Sequence, residues 1–197
     1  MDLPPELSDV AAYERRLEEV TIGEPKELQA PIELRDYDPG WVALYEREAS
    51  RVRAGLGQRV VRLEHIGSTS VPGLIAKPII DIALEVPDSA DEAAYVPEME
   101  AAGYRLRIRE PEWFQHRLFK GPDSDINLHT FSAQCSEVDR MVRFRNWLRH
   151  NSADCELYAR IKRQLAGRDW KYMQQYADAK TAVVQEIMAR AEAALTA

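Results

Sequence analysis

The sequence predicts an α/β chain of the α+β type, with a mixed, mostly antiparallel sheet of about five strands, backed by helices and closed by a helical C-terminal region. Three observations carry this expectation. Apolar residues recur at helical spacing from Trp41 to Leu56. Short runs rich in β-branched residues, one of them strictly alternating, occupy positions 60 to 131. Helical spacing returns after about residue 135.

Taken in order, residues 1 to 30 hold prolines at 4, 5 and 25 around a short charged helix, SDVAAYERRLEEV, with Ser8 as its cap and Tyr13, Leu17 and Val20 as its apolar stripe. An extension packed on the domain is expected. The next helix has Asp38 as cap, Pro39 at the first helical position and Gly57 as its stop. VVRLEHI, residues 60 to 66, reads as a strand running into the hydroxyl-rich turn 67 to 70. PIIDIALEV, residues 78 to 86, is a second strand, with Ile80, Ile82, Leu84 and Val86 on one face and Ile79, Asp81, Ala83 and Glu85 on the other. A helix from Ser89 to Ala102 ends at Gly103. YRLRIR, FQHRLFK and DINLHTF then form three strands separated by Pro111 and by Gly121-Pro122. Tyr172, Tyr176, Val183 and Ile187 mark one face of a long final helix.

The chain has 197 residues, 45% hydrophobic and 30% charged, which is enough to bury one core, so one domain is expected. No apolar run reaches the ~18 to 20 residues of a spanning helix, and the N-terminus lacks the basic flank and apolar stretch of an export signal. A cytoplasmic protein without a membrane partner follows. Cys135 and Cys155 match no CxxC pair or zinc spacing and read as reduced structural thiols. The net charge of −7 argues against general nucleic-acid binding. The stretch from Asp139 to Lys171 is nevertheless basic, and reads as a solvated helical face.

The segment EHIGSTSVPGLIAKPIIDI, residues 64 to 82, carries the most chemistry. Amides and hydroxyls at Gly67, Ser68, Thr69 and Ser70 can cradle phosphate oxygens, and Asp81 on the following strand can hold a divalent cation. The plainer alternative is a turn joining two strands, with Asp81 buried beside a basic residue such as Lys77. The turn is neither a P-loop nor a GxGxxG fingerprint, because Leu74 follows Gly73 where a P-loop requires lysine. Lys77, Arg117 and Lys180 are the cations available to an anionic ligand.

This segment resembles the hallmark of the GrpB-like family. YDPGW at 37 to 41, NLHTF at 127 to 131, FRNWL at 144 to 148, and the spaced Tyr158, Lys162, Tyr176 and Lys180 are also similar to the family pattern. The resemblance covers residues 31 to 190, leaving 1 to 30 as an extension and 191 to 197 as a tail. It implies a nucleotidyltransferase-like fold in which the Gly-Ser turn opens a helix beside a nucleotide triphosphate, with Asp81 as the catalytic carboxylate and Mg2+ as cofactor. The wider superfamily pattern has a second carboxylate two residues on, where this chain has Ala83. Alternation on DINLHTF puts Asn127 and His129 on one face, so these two are the expected further metal ligands. A His129 ligand would favour another divalent metal over magnesium. Its alternative is an imidazole held by a carboxylate or backbone group. The expected function is a Mg-nucleotide-binding nucleotidyltransferase for an unknown small acceptor; the rival is a non-catalytic ligand-binding or interaction module on the same fold.

Overall fold

The computed structural model describes residues 9–194. Helix α1 (Val10–Val20) is capped by Asp9, whose carboxylate accepts from the Ala12 amide at 3.0 Å. The expected cap, Ser8, lies outside the described residues. Helix α2 (Gly40–Leu56) starts one residue later than expected, although Pro39 already has helical angles and Asp38 accepts from the Gly40 amide at 2.8 Å. Strands β1 (Arg62–Ile66) and β2 (Ile80–Val86) flank a single 3-10 turn, Ser68–Ser70.

The turn does not open a longer helix. Pro72 disfavours helical angles at the residue before it, and Val71 is extended (φ −107°, ψ 109°). Proline also shortens the helix expected over 89 to 102. Its ring clashes with the carbonyl four residues back, so Pro97 must sit in a first turn. Only a 3-10 turn, Glu92–Ala94, and the short α3 (Val96–Ala101) form there.

Strands β3 (Arg105–Glu110), β4 (His116–Lys120) and β5 (Ile126–Ser132) follow. β4 begins two residues late because Phe114 and Gln115 take positive φ (54° and 53°) in the hairpin turn. The rest is α4 (Ser136–His150), α5 (Ser152–Ala166), α6 (Met173–Asp178) and α7 (Thr181–Ala193). The expected long final helix is therefore two, broken at Ala179 and Lys180. Helix α7 also takes in the first residues assigned to the tail, with Ala191 buried.

The sheet order is β1-β2-β5-β4-β3, antiparallel throughout except for the parallel pair β2 and β5. The mixed, mostly antiparallel five-stranded sheet is thus as expected. One face, with Ile80, Ile82, Leu84, Leu128 and Phe119, packs on α2 and α3 through Ala49, Val52, Leu56 and Met99. On the other face, α4 covers Ile66, Ala83 and Phe131 with Val138. The remaining helices form a second cluster around Leu74, Leu165, Val183 and Ile187, which Tyr13 of α1 joins. The extension is docked further by the Tyr13 hydroxyl, which donates to Asp178 at 2.6 Å, and by Lys171 on Glu14 at 2.6 Å.

The α2 side holds one buried carboxylate, Glu48, which accepts from the Tyr104 hydroxyl at 2.7 Å and from Arg47 at 3.0 Å. Tyr104→Phe removes one bond to a buried charge and is expected to cost about 1.5 to 3 kcal/mol in urea denaturation. Wild-type stability in that variant would show that Arg47 and Arg51, the latter 3.6 Å away, satisfy Glu48 alone.

The basic stretch from 139 to 171 is largely solvated, with Arg140, Arg149, Arg160, Arg163, Arg168 and Lys171 exposed and Lys162 the buried exception. Arg140 pairs with Glu137, Arg145 with Glu64, Lys171 with Glu14 and Glu27, and Arg149 donates to the Ser70 carbonyl. Of these, Arg145 ties α4 to β1 and Arg149 ties it to the turn that follows β1, while Lys171 holds the extension. Both cysteines are free thiols, Cys135 buried and Cys155 partly so. Among the described residues no helix is long and apolar enough to cross a membrane.

Candidate functional site

Between the uncovered part of the sheet and helices α1, α5 and α6 lies a cleft of about 770 Å³. Parity decides what enters it. Asp81 of β2 stands beside Asn127 of β5, Ala83 beside His129, and on β4 Leu118 faces His129 while Lys120 faces Asn127. Asp81, Asn127, His129 and Lys120 therefore share one face. The Asn127 amide donates to Asp81 Oδ1 at 2.7 Å, and its oxygen accepts from Lys120 Nζ at 2.6 Å. His129 Nε2 lies 3.7 Å from Asp81 Oδ1.

Gly67 is required at the end of β1. Its φ is +69°, and a Cβ there would stand 2.5 Å from Asp81 Oδ2 and 2.9 Å from Asp81 Cβ. Only glycine allows this turn beneath the carboxylate. Ser68 lines the cleft and meets the Tyr158 hydroxyl. Thr69 also lines it, but its hydroxyl donates inward to the Ile79 carbonyl at 3.1 Å and takes a bond from His65 Nε2 at the same distance.

Two expected phosphate ligands are corrected. Ser70 is buried away from the cleft, with its hydroxyl on the Gly67 carbonyl. Arg117 has the wrong parity on β4 and lies on the opposite face, donating to Glu92 at 2.6 Å and to the Gln115 carbonyl at 2.8 Å. A bulge between Leu106 and Ile108 likewise splits the three arginines of β3. Arg105 and Arg107 line the cleft, and Arg109 turns to Glu92.

The helices complete the walls with lysines. Lys77 enters just before β2, Lys162 from α5 and Lys180 from the break between α6 and α7. Lys162 is buried and donates to the Ile75 carbonyl. Lys180 Nζ stands 4.4 Å from the Tyr176 ring centroid and Lys77 Nζ 5.2 Å from it on its own approach. Burial is the main reason these amines are easily deprotonated, with Lys77 and Lys180 both brought down to about 8 and Asp81 opposing the shift. Lys162 is lowered by burial and then by Lys180 and Lys77, and Lys120 by burial against Asp125 and Asp81. Asp81 is held below the usual carboxylate range: burial, the largest influence, opposes this, and the contacts of His129, Asn127 and Lys77 together outweigh it.

Among the described residues eight basic side chains line the cleft against one carboxylate, in a chain whose overall charge is −7. That contrast makes it a trap for an anion. The Tyr176 hydroxyl is also buried, with no hydrogen-bond partner among the described residues. Lys120, Lys162 and Tyr176 were absent from the expected ligands, although Lys162 falls on the apolar face of α5 with Tyr158, Ile161 and Leu165, a place where a charge needs a reason.

The expected divalent metal set does not fit. The Asn127 oxygen is taken by Lys120, which leaves one carboxylate and one imidazole among four lysines, whereas hard cations require several oxygen ligands. Among the described residues no group of three or more His, Cys, Asp or Glu could hold a metal ion. Ala83 is fully buried beneath α4, so that position has no room for the second carboxylate of the superfamily pattern.

Fold and site together define an α/β protein whose helical layer closes over a cationic cleft on one face of a mixed sheet. Comparison with known proteins narrows this. The family described as GrpB protein matches residues 31–190, and the chain belongs to that family. It is 61% identical over 180 residues to the UPF0157 protein BH1888 of Halalkalibacterium halodurans, covering 91% of this chain and 92% of that protein. It is 43% identical over 184 residues to the UPF0157 protein SCO7215 of Streptomyces coelicolor, covering 91% and 96%. The crystal structure of conserved protein GrpB from Enterococcus faecalis is similar with a TM-score of 0.69 and 33% identity, over 81% of this chain and 96% of that one.

Proposed function

We propose that the cleft binds a phosphorylated small molecule, in the first instance a nucleotide, and transfers its nucleotidyl or phosphoryl group to a small acceptor. The observation that carries the reading is the lysine set Lys77, Lys120, Lys162 and Lys180 around the single carboxylate Asp81. Phosphate oxygens would take the amines, the backbone at Gly67 and Ser68 where the turn lines the cleft, and the Tyr176 hydroxyl. Apolar side chains such as Met141 and Phe144 on the same cleft give a base or other flat group a surface. Magnesium enters only as the counter-ion a triphosphate carries with it, because the protein's own donors do not build its site.

Isothermal titration of ATP, ADP and inorganic phosphate, each with magnesium and with EDTA, tests this. Binding of ATP that survives EDTA is expected. Binding that appears only with magnesium would return Asp81 to the role of metal ligand. A second reading, a binding module without turnover, is favoured by the buried Ala83 at the second carboxylate position. Pyrophosphate or phosphate release from bound ATP separates the two.

Binding is expected to take up protons. Lys77 and Lys180 are brought down to about 8, so part of each population is neutral at pH 8 to 9, and an anion favours the charged form. Affinity should fall as pH rises through that range. Titration in buffers of different ionisation enthalpy counts the protons, and a pH-independent affinity from 7 to 9.5 would rule these two lysines out as ligands.

A further inference from the structure

Strands β3 to β5 carry a file of acid and base groups that anion binding does not use. His116 Nδ1 lies 2.7 Å from Glu110 Oε2, and His116 Nε2 lies 3.1 Å from His129 Nδ1, the rings stacking at 5.2 Å between centroids. His129 Nε2 then faces Asp81 Oδ1 at 3.7 Å. The file runs from the sheet edge, where Glu110 is partly exposed, to the cleft.

For neutral imidazoles, hydrogen-bond rules fix where the protons of the file sit. A carboxylate only accepts, so the contact with Glu110 needs a proton on His116 Nδ1. His116 is buried and, chiefly for that reason, resists a second proton until pH falls to about 4, so its Nε2 holds a lone pair. The 3.1 Å contact then needs the proton of His129 on Nδ1. In the neutral ring His129 Nε2 is left bare toward the cleft, and it pairs with Asp81 only once a second proton arrives there, which is how His129 helps to hold that carboxylate low. The opposite arrangement would set a lone pair of His116 against the Glu110 carboxylate at 2.7 Å, which is repulsive.

We infer that His129 is the proton-accepting group of the cleft, acting on the hydroxyl of an acceptor, and that His116 and Glu110 are positioning residues that keep its Nε2 unprotonated. The inference rests on the proposed binding function and adds the acceptor class, an alcohol or water. The O–H proton passes to Nε2 and its bonding pair stays on oxygen. That oxygen forms the new bond to phosphorus as the bond to the leaving oxygen breaks with its own pair. Asp81 stabilises the resulting imidazolium from 3.7 Å, against the opposing charges of Lys77, Lys120, Lys162 and Lys180 and of Arg105, Arg107 and Arg140 from β3 and α4. A base held by a third group in this way follows the geometric logic of known triads.

The full chain labelled with 15N-histidine tests the file without any ligand, since it has only four histidines to assign. Long-range 1H–15N spectra near pH 8 are expected to show His116 and His129 both protonated on Nδ1 alone. Glu110→Ala should release the tautomer of His129 into a mixture. Glu110→Gln, whose amide oxygen still accepts from Nδ1, should restore the wild-type spectrum. A wild-type His129 protonated on Nε2, or a Glu110→Ala spectrum unchanged at His129, overturns the inference. Inorganic phosphate titrated into the same wild-type sample tests the binding reading separately: silence of every cleft resonance sinks that reading, whatever the tautomers.

Discussion

Lys180→Met is expected to stabilise the ligand-free protein and, in the same variant, weaken triphosphate binding by roughly 10- to 100-fold, the worth of one charge-assisted hydrogen bond. The stabilising half follows from linkage. Burial, then repulsion by Lys77, lowers the Lys180 amine to about 8 from an ordinary 10.5. The unfolded chain therefore binds more protons between those values, so stability rises with pH across that window and the penalty is fully present below pH 8. At pH 7 its removal is worth on the order of 1 to 2 kcal/mol, with methionine keeping the contact on the Tyr176 ring. Urea denaturation with titration of ATP reads both halves. A destabilised variant of unchanged affinity would mean that Lys180 holds the fold together and not a ligand.

Gly67→Ala is expected to have the larger effect on the site. Its new methyl carbon cannot coexist with Asp81 Oδ2 at 2.5 Å, and the residue must hold a φ of +69°. Positive φ alone costs about 1 to 2 kcal/mol for a residue with a side chain, and displacing Asp81 adds to it, for a total of about 2 to 4 kcal/mol. Gly73→Ala is the control. It has φ +79° and nothing within 4 Å of the added carbon, so it should show the backbone penalty alone and retain ligand binding. Equal losses in the two variants would remove the Asp81 contact from the explanation.

Alternation along a single strand was readable in advance, and it put Asp81, Asn127 and His129 on consistent faces. Which face of β4 joined them was not readable, because register depends on the partner strand and a slip of one residue exchanges Arg117 for Lys120. Pairs that cross the fold were hidden for a similar reason. Glu110, His116 and His129 become a file only when β3 and β5 flank β4, and nothing in the spacing of three strands states their order. The helices were legible wherever caps and apolar stripes agreed, as in α2. They were misjudged where Pro97 and Pro72 forbade the angles that neighbouring residues favoured. Lysines carried by helices were hardest to place, since a lysine at helical spacing reads as solvated until a second layer is seen to cover it.

The one parallel pair of the sheet has a consequence for how the protein acquires its activity. Asp81 and Asn127 are 46 residues apart, and β5 can dock on β2 only after that whole stretch of chain has closed. The β3 and β4 hairpin and the β1 and β2 pair close far shorter loops, with a lower entropic cost and fewer non-local contacts to find. Two half-sheets are therefore expected to form first, each lacking half of the anion trap, and to join late. In stopped-flow refolding, competence to bind ATP should lag behind the far-ultraviolet circular dichroism signal, whereas simultaneous recovery would show that the halves meet as early as they form.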